Sequence, residues 1–192
     1  MRRAALRQSE LRAVELLCEQ GFTSMFDLLH PALHRFRLPV EVRFDSYGSF
    51  CRATGVSRST LFPHAGADGM TIRHGGLFLV LYDEQVENER RRAFTLAHEI
   101  GHILLAHDGG EQAAVEEREA NAFAAALLAP EVAVRYLAHR EHCTITATWL
   151  QSAFFLSSEA ARYRAAMLAG KRQRPPSAYE ITLLLQLFGK LS

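Results

Sequence analysis

The sequence predicts an α+β domain with a small β-sheet and several helices. Apolar residues in the first 30 positions and after position 88 recur at helical spacing, while residues 40–82 hold one alternating run and two short runs around a glycine turn. With 192 residues, 48% of them hydrophobic and 22% charged, the chain can bury the core of one domain with appendages or of two small domains. This composition excludes collagen-like, mucin-like and wholly disordered proteins.

The charge balance indicates no general affinity for polyanions. Lys and Arg total 22 and Asp and Glu 21, a formal net charge of +1, so nucleic acid or an acidic membrane would need a local basic patch. Cys18, Cys51 and Cys143 are widely spaced and form no Cys-x-x-Cys pair, which predicts reduced thiols. No apolar run has the length of a signal peptide or a bilayer span, so we expect a soluble, cytoplasmic protein.

Two helices are predicted ahead of the sheet. The first is expected to begin with Ser9 as its N-cap and to end at Gly21. The second is expected over residues 24–30, because Pro31 follows it. We therefore assign residues 1–39 to an N-terminal helical segment.

Three or four strands are predicted next. Residues 40–44 alternate between apolar and polar side chains, which is typical of a half-buried strand, and residues 47–52 carry a weaker strand signal. Residues 70–73 and 77–82 flank a His-Gly-Gly turn and predict a hairpin. Because residues 77–82 are apolar on both faces, this strand is expected at the centre of the sheet.

The rest of the chain is predicted to be helical. The periodicity predicts helices over residues 88–107, 113–128, 131–139, 146–154, 158–168 and 177–191. Gly109 and Pro130 are expected to close the first two, and residues 171–176 form a basic linker that contains proline. The last helix carries an apolar stripe that could dock on this domain or on a partner. That stripe consists of Ile181, Leu184, Leu185 and Phe188.

A metal-binding motif lies inside the helix predicted over residues 88–107. His98 and His102 are four positions apart, so their imidazoles lie on one helical face and can bind one cation. Glu99 points beside that cation, a position that suits a base acting on metal-bound water. The alternative to metal binding is a pair of solvated histidines on a surface helix. Apolar neighbours predict a buried helix instead, in which these polar groups need partners.

The following helix offers a third ligand. Catalytic zinc takes three protein ligands and leaves one position for water, and Glu116, Glu117 and Glu119 lie near the start of the helix predicted over residues 113–128. Glu117 shares a stripe with small residues suited to close packing and is the favoured ligand, with Glu119 as the alternative. All three could instead solvate the first turn. Asn121, one turn after Glu117, is placed to accept the N–H of a ligating histidine.

Two sequence blocks in this region resemble the ImmA/IrrE family of metallopeptidases. They are residues 92–105, RAFTLAHEIGHILL, and residues 117–130, EREANAFAAALLAP. The resemblance covers about residues 40–170 and implies a zincin-like metallopeptidase domain there, with the linker and C-terminal amphipathic helix over residues 171–192. It also implies proteolysis of a partner protein, often a helix-turn-helix repressor, and hence a part in gene regulation.

The resemblance implies individual roles as well. His98, His102 and Glu117 would hold one Zn²⁺ per chain, and Glu99 would assist attack of zinc-bound water on the peptide bond. Mn²⁺ or Fe²⁺ would also suit these donors. A further group should stabilise the oxyanion. The candidates by location alone are His107, Tyr136 and His139.

Two other functions compete with proteolysis. The chain could be a metal-bearing module that binds a regulator without cleaving it. It could also be a DNA-binding regulator, because residues 146–174 resemble a helix-turn-helix and carry local positive charge. The basic residues are Arg162, Arg164, Lys171, Arg172 and Arg174. Trp149 and Phe154 within that segment favour a packing element of the domain instead. We therefore expect a protein substrate and no nucleic-acid or membrane partner.

Overall fold

The computed structural model describes residues 2–61, 68–169, 171 and 174–189, and its mixed architecture confirms the α+β class. The elements in chain order are α1 (Arg2–Gln20), α2 (Met25–Leu29), β1 (Glu41–Ser46), α3 (Tyr47–Thr54), α4 (Arg58–Leu61), β2 (Gly69–His74), β3 (Leu77–Tyr82), α5 (Glu89–Leu104), α6 (Ala113–Leu128), α7 (Glu131–Arg140), α8 (Ala147–Ala153), α9 (Ser158–Leu168) and α10 (Ala178–Phe188). A 3₁₀ turn, Leu33–Arg35, lies between α2 and β1.

The strands form one sheet in the order β1-β3-β2. β3 lies in the centre, as its apolar faces predict, and pairs in parallel with β1 and antiparallel with β2. The predicted hairpin is therefore present, with Thr71 opposite Val80. Within the described part of the chain β2 is an edge strand. Helix α5 packs against β2 and β3, which brings the predicted motif beside this edge.

Helix α6 lies at the centre of the helical layer. It packs along both α5 and α1, and α10 packs on α1 as well. The N-terminal segment and the C-terminal helix thus share one hydrophobic core with the segment between them. Representative buried members of this core are Leu16, Leu17, Leu28, Ile100, Phe123, Leu127, Leu150, Phe154 and Leu183. Burial of these apolar side chains is the main force that holds the helices together.

The prediction that Ser9 caps the first helix is wrong. Helix α1 already begins at Arg2, and Ser9 is buried inside it, where its hydroxyl donates a hydrogen bond to the carbonyl oxygen of Ala5. The preceding residues are mostly Arg, Ala, Leu and Gln, which favour helix and include no breaker. Gly21 does end the helix, with a left-handed φ of 69°.

The strand signal over residues 47–52 is also wrong. This segment forms helix α3. The Ser46 side chain caps α3 by accepting the N–H of Ser49, and Gly55 closes it at a φ of 73°. Tyr47 is fully buried, because this short helix packs on β1 and β3.

The last helix buries part of the predicted stripe. Leu184 is buried and Phe188 packs against the core, whereas Ile181 and Leu185 are 42% and 46% exposed. Leu183 and Leu187 are buried in their place, where α10 packs on α1. Residues 183–188 are apolar on most sides of the helix, so periodicity alone does not select the buried face, and the contacts with α1 and α7 select it. The helix ends at Phe188, earlier than predicted, and residues 190–192 lie outside the described residues.

Ion pairs connect α9 and the predicted basic linker to α1. Arg164 in α9 is fully buried, donates from Nε to the carbonyl oxygen of Ala129 over 2.8 Å and pairs with Glu10 in α1. Lys171 binds Glu10 as well, at 2.7 Å from Oε2. These contacts join α1, α9 and the end of α6. Residues 172 and 173 of the predicted linker lie outside the described residues.

Cys18 and Cys51 are half-buried free thiols, and Cys143 is an exposed one. Among the described helices, none combines the length and the apolar character required to cross a bilayer.

Candidate metal centre and active site

Helix α5 presents the two histidines of the motif on one face. Asn88 caps the helix by accepting the N–H groups of Arg90 and Arg91. The rings of His98 and His102 then lie with centroids 4.6 Å apart, and their Nε2 atoms are 3.0 Å apart. Two ring nitrogens at this distance require a proton or a cation between their lone pairs.

Helix α6 brings Glu117 to the same point. Its Oε2 lies 3.3 Å from His98 Nε2 and its Oε1 lies 3.3 Å from His102 Nε2. The close approach of α5 and α6 depends on Gly101. A Cβ at that position would lie 3.0 Å from Cδ1 of Phe123 and 3.3 Å from a Cα of α6. The glycine therefore sets the helix separation that the three-residue cluster needs.

The cluster has the composition and spacing of a divalent-metal site. Tetrahedral zinc with bonds of about 2.0–2.2 Å places its ligand atoms roughly 3.3–3.5 Å apart, close to the separations of 3.0 and 3.3 Å found here. Burial lowers the pKa of His98, as does the neighbouring His102, so the ring is held neutral with a lone pair to offer. Within the described chain, His98, His102 and Glu117 are the residues grouped to hold a metal ion.

Asn121 occupies the place expected for it. Its Oδ1 lies 3.1 Å from His98 Nδ1. An amide oxygen accepts the N–H of the ring, which leaves Nε2 unprotonated and directed at the cluster.

The glutamates flanking Glu117 have other contacts. Glu116 accepts the backbone N–H of Gly109 at 2.9 Å and that of Asp108 at 3.3 Å. Glu119, the alternative third ligand, lies 3.2 Å from Nε2 of His107. The structure therefore brings Glu117 to the histidine pair and places Glu119 against His107 instead.

Helix α5 ends earlier than predicted, and this changes the position of His107. The helix stops at Leu104, and Ala106 takes a left-handed φ of 55°. His107 therefore turns back, and its Nδ1 lies 2.9 Å from His102 Nδ1. From the sequence, His107 is a candidate for the oxyanion donor only. Helical or strand periodicity cannot predict this contact, because it depends on the turn at Ala106.

The other two oxyanion candidates lie elsewhere. Tyr136 packs its ring against Phe188 of α10 with centroids 4.3 Å apart. His139 lines a separate cavity with Arg135 and His142 that shares no residue with the metal cluster. Neither is positioned to contact a group bound beside Glu99.

Glu99 is buried beside the cluster, with 8% of its surface exposed. Its Oε2 accepts a hydrogen bond of 2.6 Å from the Thr71 hydroxyl on β2. Burial raises the pKa of this carboxyl, against the smaller opposing effect of the Thr71 hydrogen bond. Thr71 carries no signal in the sequence, because only the packing of β2 on α5 brings it close to Glu99. Gly69 permits that packing, since a Cβ there would lie 2.4 Å from Cγ2 of Thr95.

A cleft of about 490 Å³ opens over the cluster. One wall is the edge strand β2, and the opposite side is the turn that follows α5. Its lining includes Gly69, Met70, Thr71, Arg73, Phe78, Glu99, His102, His107, Asp108, Gly109 and Glu117. The cluster and Glu99 therefore face a space open to a substrate segment.

Comparison with known proteins agrees with the two sequence blocks. The family model of the IrrE N-terminal-like domain, Peptidase_M78, matches residues 60–166, more than half of the chain. A search of curated proteins found no match. The matched range contains β2, β3, α5 and α6, and with them every residue of the cluster. The chain, with its zincin-like α+β fold, therefore belongs to the IrrE N-terminal-like domain family of peptidases.

Proposed function

We propose that this chain is a zinc-dependent peptidase that cleaves a peptide bond in a partner protein. The observation that carries the proposal is the convergence of His98, His102 and Glu117 beside a buried carboxyl, Glu99, in one open cleft. Family membership supports the peptidase class. The same three donors would also accept Mn²⁺ or Fe²⁺.

His98, His102 and Glu117 would hold the metal. When bound, a divalent metal supplies a Lewis acid that polarises a carbonyl and makes water more acidic. Glu99 accepts the proton of the attacking water and returns it to the leaving amine. Its raised pKa suits this exchange, because a carboxylate with a low pKa is too weak a base to take the proton of the water. The hydrogen bond from Thr71 holds the carboxylate in one orientation.

The edge strand β2 is the proposed docking site for the substrate backbone. Its residues line the cleft next to Glu99, and an edge strand offers N–H and C=O groups that an extended peptide can pair with. Such pairing recognises main chain and so suits a protein substrate. We propose a transcriptional repressor or similar regulator as that substrate, on the basis of the resemblance to ImmA/IrrE peptidases.

Direct DNA binding is disfavoured because three basic residues of the helix-turn-helix-like segment are paired within the domain, although Arg162 is exposed. Arg164 is fully buried and Lys171 pairs with Glu10 and Glu131. Arg174 pairs with Glu180 at 2.7 Å. Cations that are neutralised in this way contribute little to phosphate binding.

Metal analysis tests the proposed ligands. Wild-type protein loaded with Zn²⁺ and desalted should retain about one equivalent, whereas His98→Ala, His102→Ala and Glu117→Ala should each lose it, because each removes one of three protein ligands. The measurement is zinc content by plasma emission spectrometry.

Matched controls are His34→Ala and Glu111→Ala, which change exposed residues outside the cluster and should retain the metal. Retention of a full equivalent by Glu117→Ala would contradict its role as a ligand. No uptake by the wild type would overturn the proposed function.

The valine variant of Thr71 tests the orientation of Glu99. Thr71→Val keeps the side-chain shape but removes the donor, and a hydrogen bond to a charged group contributes roughly 1.5–3 kcal/mol. We expect the cleavage rate of a mixed peptide library, followed by mass spectrometry, to fall about ten- to hundredfold with unchanged zinc content. Thr148→Val, at an exposed position of α8, should cleave at the wild-type rate. An equal rate for Thr71→Val would show that this hydrogen bond does not assist catalysis.

A further inference from the structure

A polar chain of mostly buried groups extends from Nδ1 of His102, on the edge of the ring opposite the Nε2 that faces the metal cluster. His107 lies between His102 and Glu119, and only 5% of its side chain is exposed. The backbone N–H of His107 also donates to the carbonyl oxygen of His102 over 3.0 Å. The left-handed Ala106 makes this return possible. A non-glycine residue in that region indicates a backbone held by its surroundings.

Glu119, at the outer end of this hydrogen-bonded series, decides which ring nitrogens donate and which accept. An ionised Glu119 can only accept, so Nε2 of His107 carries the proton. In a neutral ring Nδ1 is then the acceptor, so the proton between the two rings belongs to Nδ1 of His102. Nε2 of His102 is left with its lone pair, facing His98 and Glu117.

We propose that His107 and Glu119 are positioning residues for the metal site, which fix the tautomer and the ring orientation of His102. The inference rests on the proposed function, because it assigns a role around the same metal. It also makes the two histidine ligands unequal. His98 is oriented by the neutral amide of Asn121, whereas His102 is oriented by a relay that ends in a carboxylate. A carboxylate at the end of such a chain makes the metal-binding nitrogen a better donor.

Two substitutions of His107 separate the hydrogen-bond relay from simple packing. A glutamine at this position offers an oxygen that can accept from His102 and an N–H that can donate to Glu119. A phenylalanine keeps the ring volume and loses both hydrogen bonds. We expect His107→Phe to bind Zn²⁺ about 10- to 100-fold more weakly than wild type, and His107→Gln to regain most of that loss. A packing role predicts the reverse order.

The measurement is competition for Zn²⁺ with a chromophoric chelator. The visible absorption of the Co²⁺-loaded proteins serves as a second readout of ligand geometry. Glu119→Gln, which keeps an acceptor and loses the charge, should weaken binding by about three- to tenfold. Glu116→Gln is the matched control, because this glutamate holds the adjacent loop without contacting His107, and it should bind as the wild type does.

Each outcome bears on the proposal. Wild-type affinity in both His107→Phe and Glu119→Gln, or equal losses in His107→Gln and His107→Phe, would overturn the relay while leaving the peptidase proposal intact. A loss in Glu116→Gln as large as that in Glu119→Gln would show that loop position is responsible and would overturn it too. Normal zinc binding by wild type without peptide cleavage would overturn the peptidase and leave the relay standing.

Discussion

Glu99→Gln should lower the rate of peptide cleavage by about 10²–10⁴-fold and leave zinc content unchanged. Glutamine has nearly the same volume and can still accept the hydrogen bond from Thr71, but it cannot accept and return a proton. The variant therefore removes the proposed acid–base step alone. The measurement is the initial rate at which new N-termini appear in a peptide library, with zinc content determined on the same samples.

Glu87→Gln, at an exposed position, is the control and should cleave as the wild type does. A Glu99→Gln rate within threefold of wild type would rule out Glu99 as the base.

The Glu99→Gln variant also separates a peptidase from a module that only binds a regulator. Such a module should control its partner equally well with glutamine at this position, whereas a peptidase should lose that control.

Arg164→Met should lower the free energy of unfolding by about 3 kcal/mol, the low end for a broken buried ion pair. Arg164 is fully buried, and its Nη1 lies 2.5 Å from Glu10 Oε1. Among the described residues, the substitution leaves Glu10 paired with Lys171 alone, and it leaves the Ala129 carbonyl oxygen at the end of α6 without this donor. The retained Lys171 contact keeps the loss from being larger. Urea denaturation followed by circular dichroism gives the value.

The control for this substitution is Arg162→Met on the same helix, where the side chain is exposed. It should change stability by about 0.5 kcal/mol or less. Glu10→Gln and the double variant complete a cycle that measures the coupling between Glu10 and Arg164. A loss below about 1 kcal/mol in Arg164→Met would contradict the stabilising role assigned to the pair.

The helices near the site follow from local sequence. Helix α6 has the predicted bounds, because Pro130 ends it and its small residues mark the packed side. Helix α10 exists as predicted, but its buried face follows only in part from its own residues, because the helix is apolar on most sides. Its contacts with α1 and α7 decide which positions are buried. Helix α3 shows a related ambiguity, because its eight residues carry too few apolar positions to distinguish a short strand from a helix.

Local sequence determined the fold class, the central position of β3 and the shared helical face of His98 and His102, because helical spacing and packing stripes depend only on residue order. It favoured Glu117 as the third member of the cluster and left Glu119 open. Tertiary structure brought Glu117 to the histidine pair and decided which groups surround that cluster. Thr71 reaches Glu99 only because β2 packs on α5, and His107 reaches His102 only because the chain turns back at Ala106. These contacts join residues whose spacing follows no helical or strand period, so their geometry exists only after the core has formed.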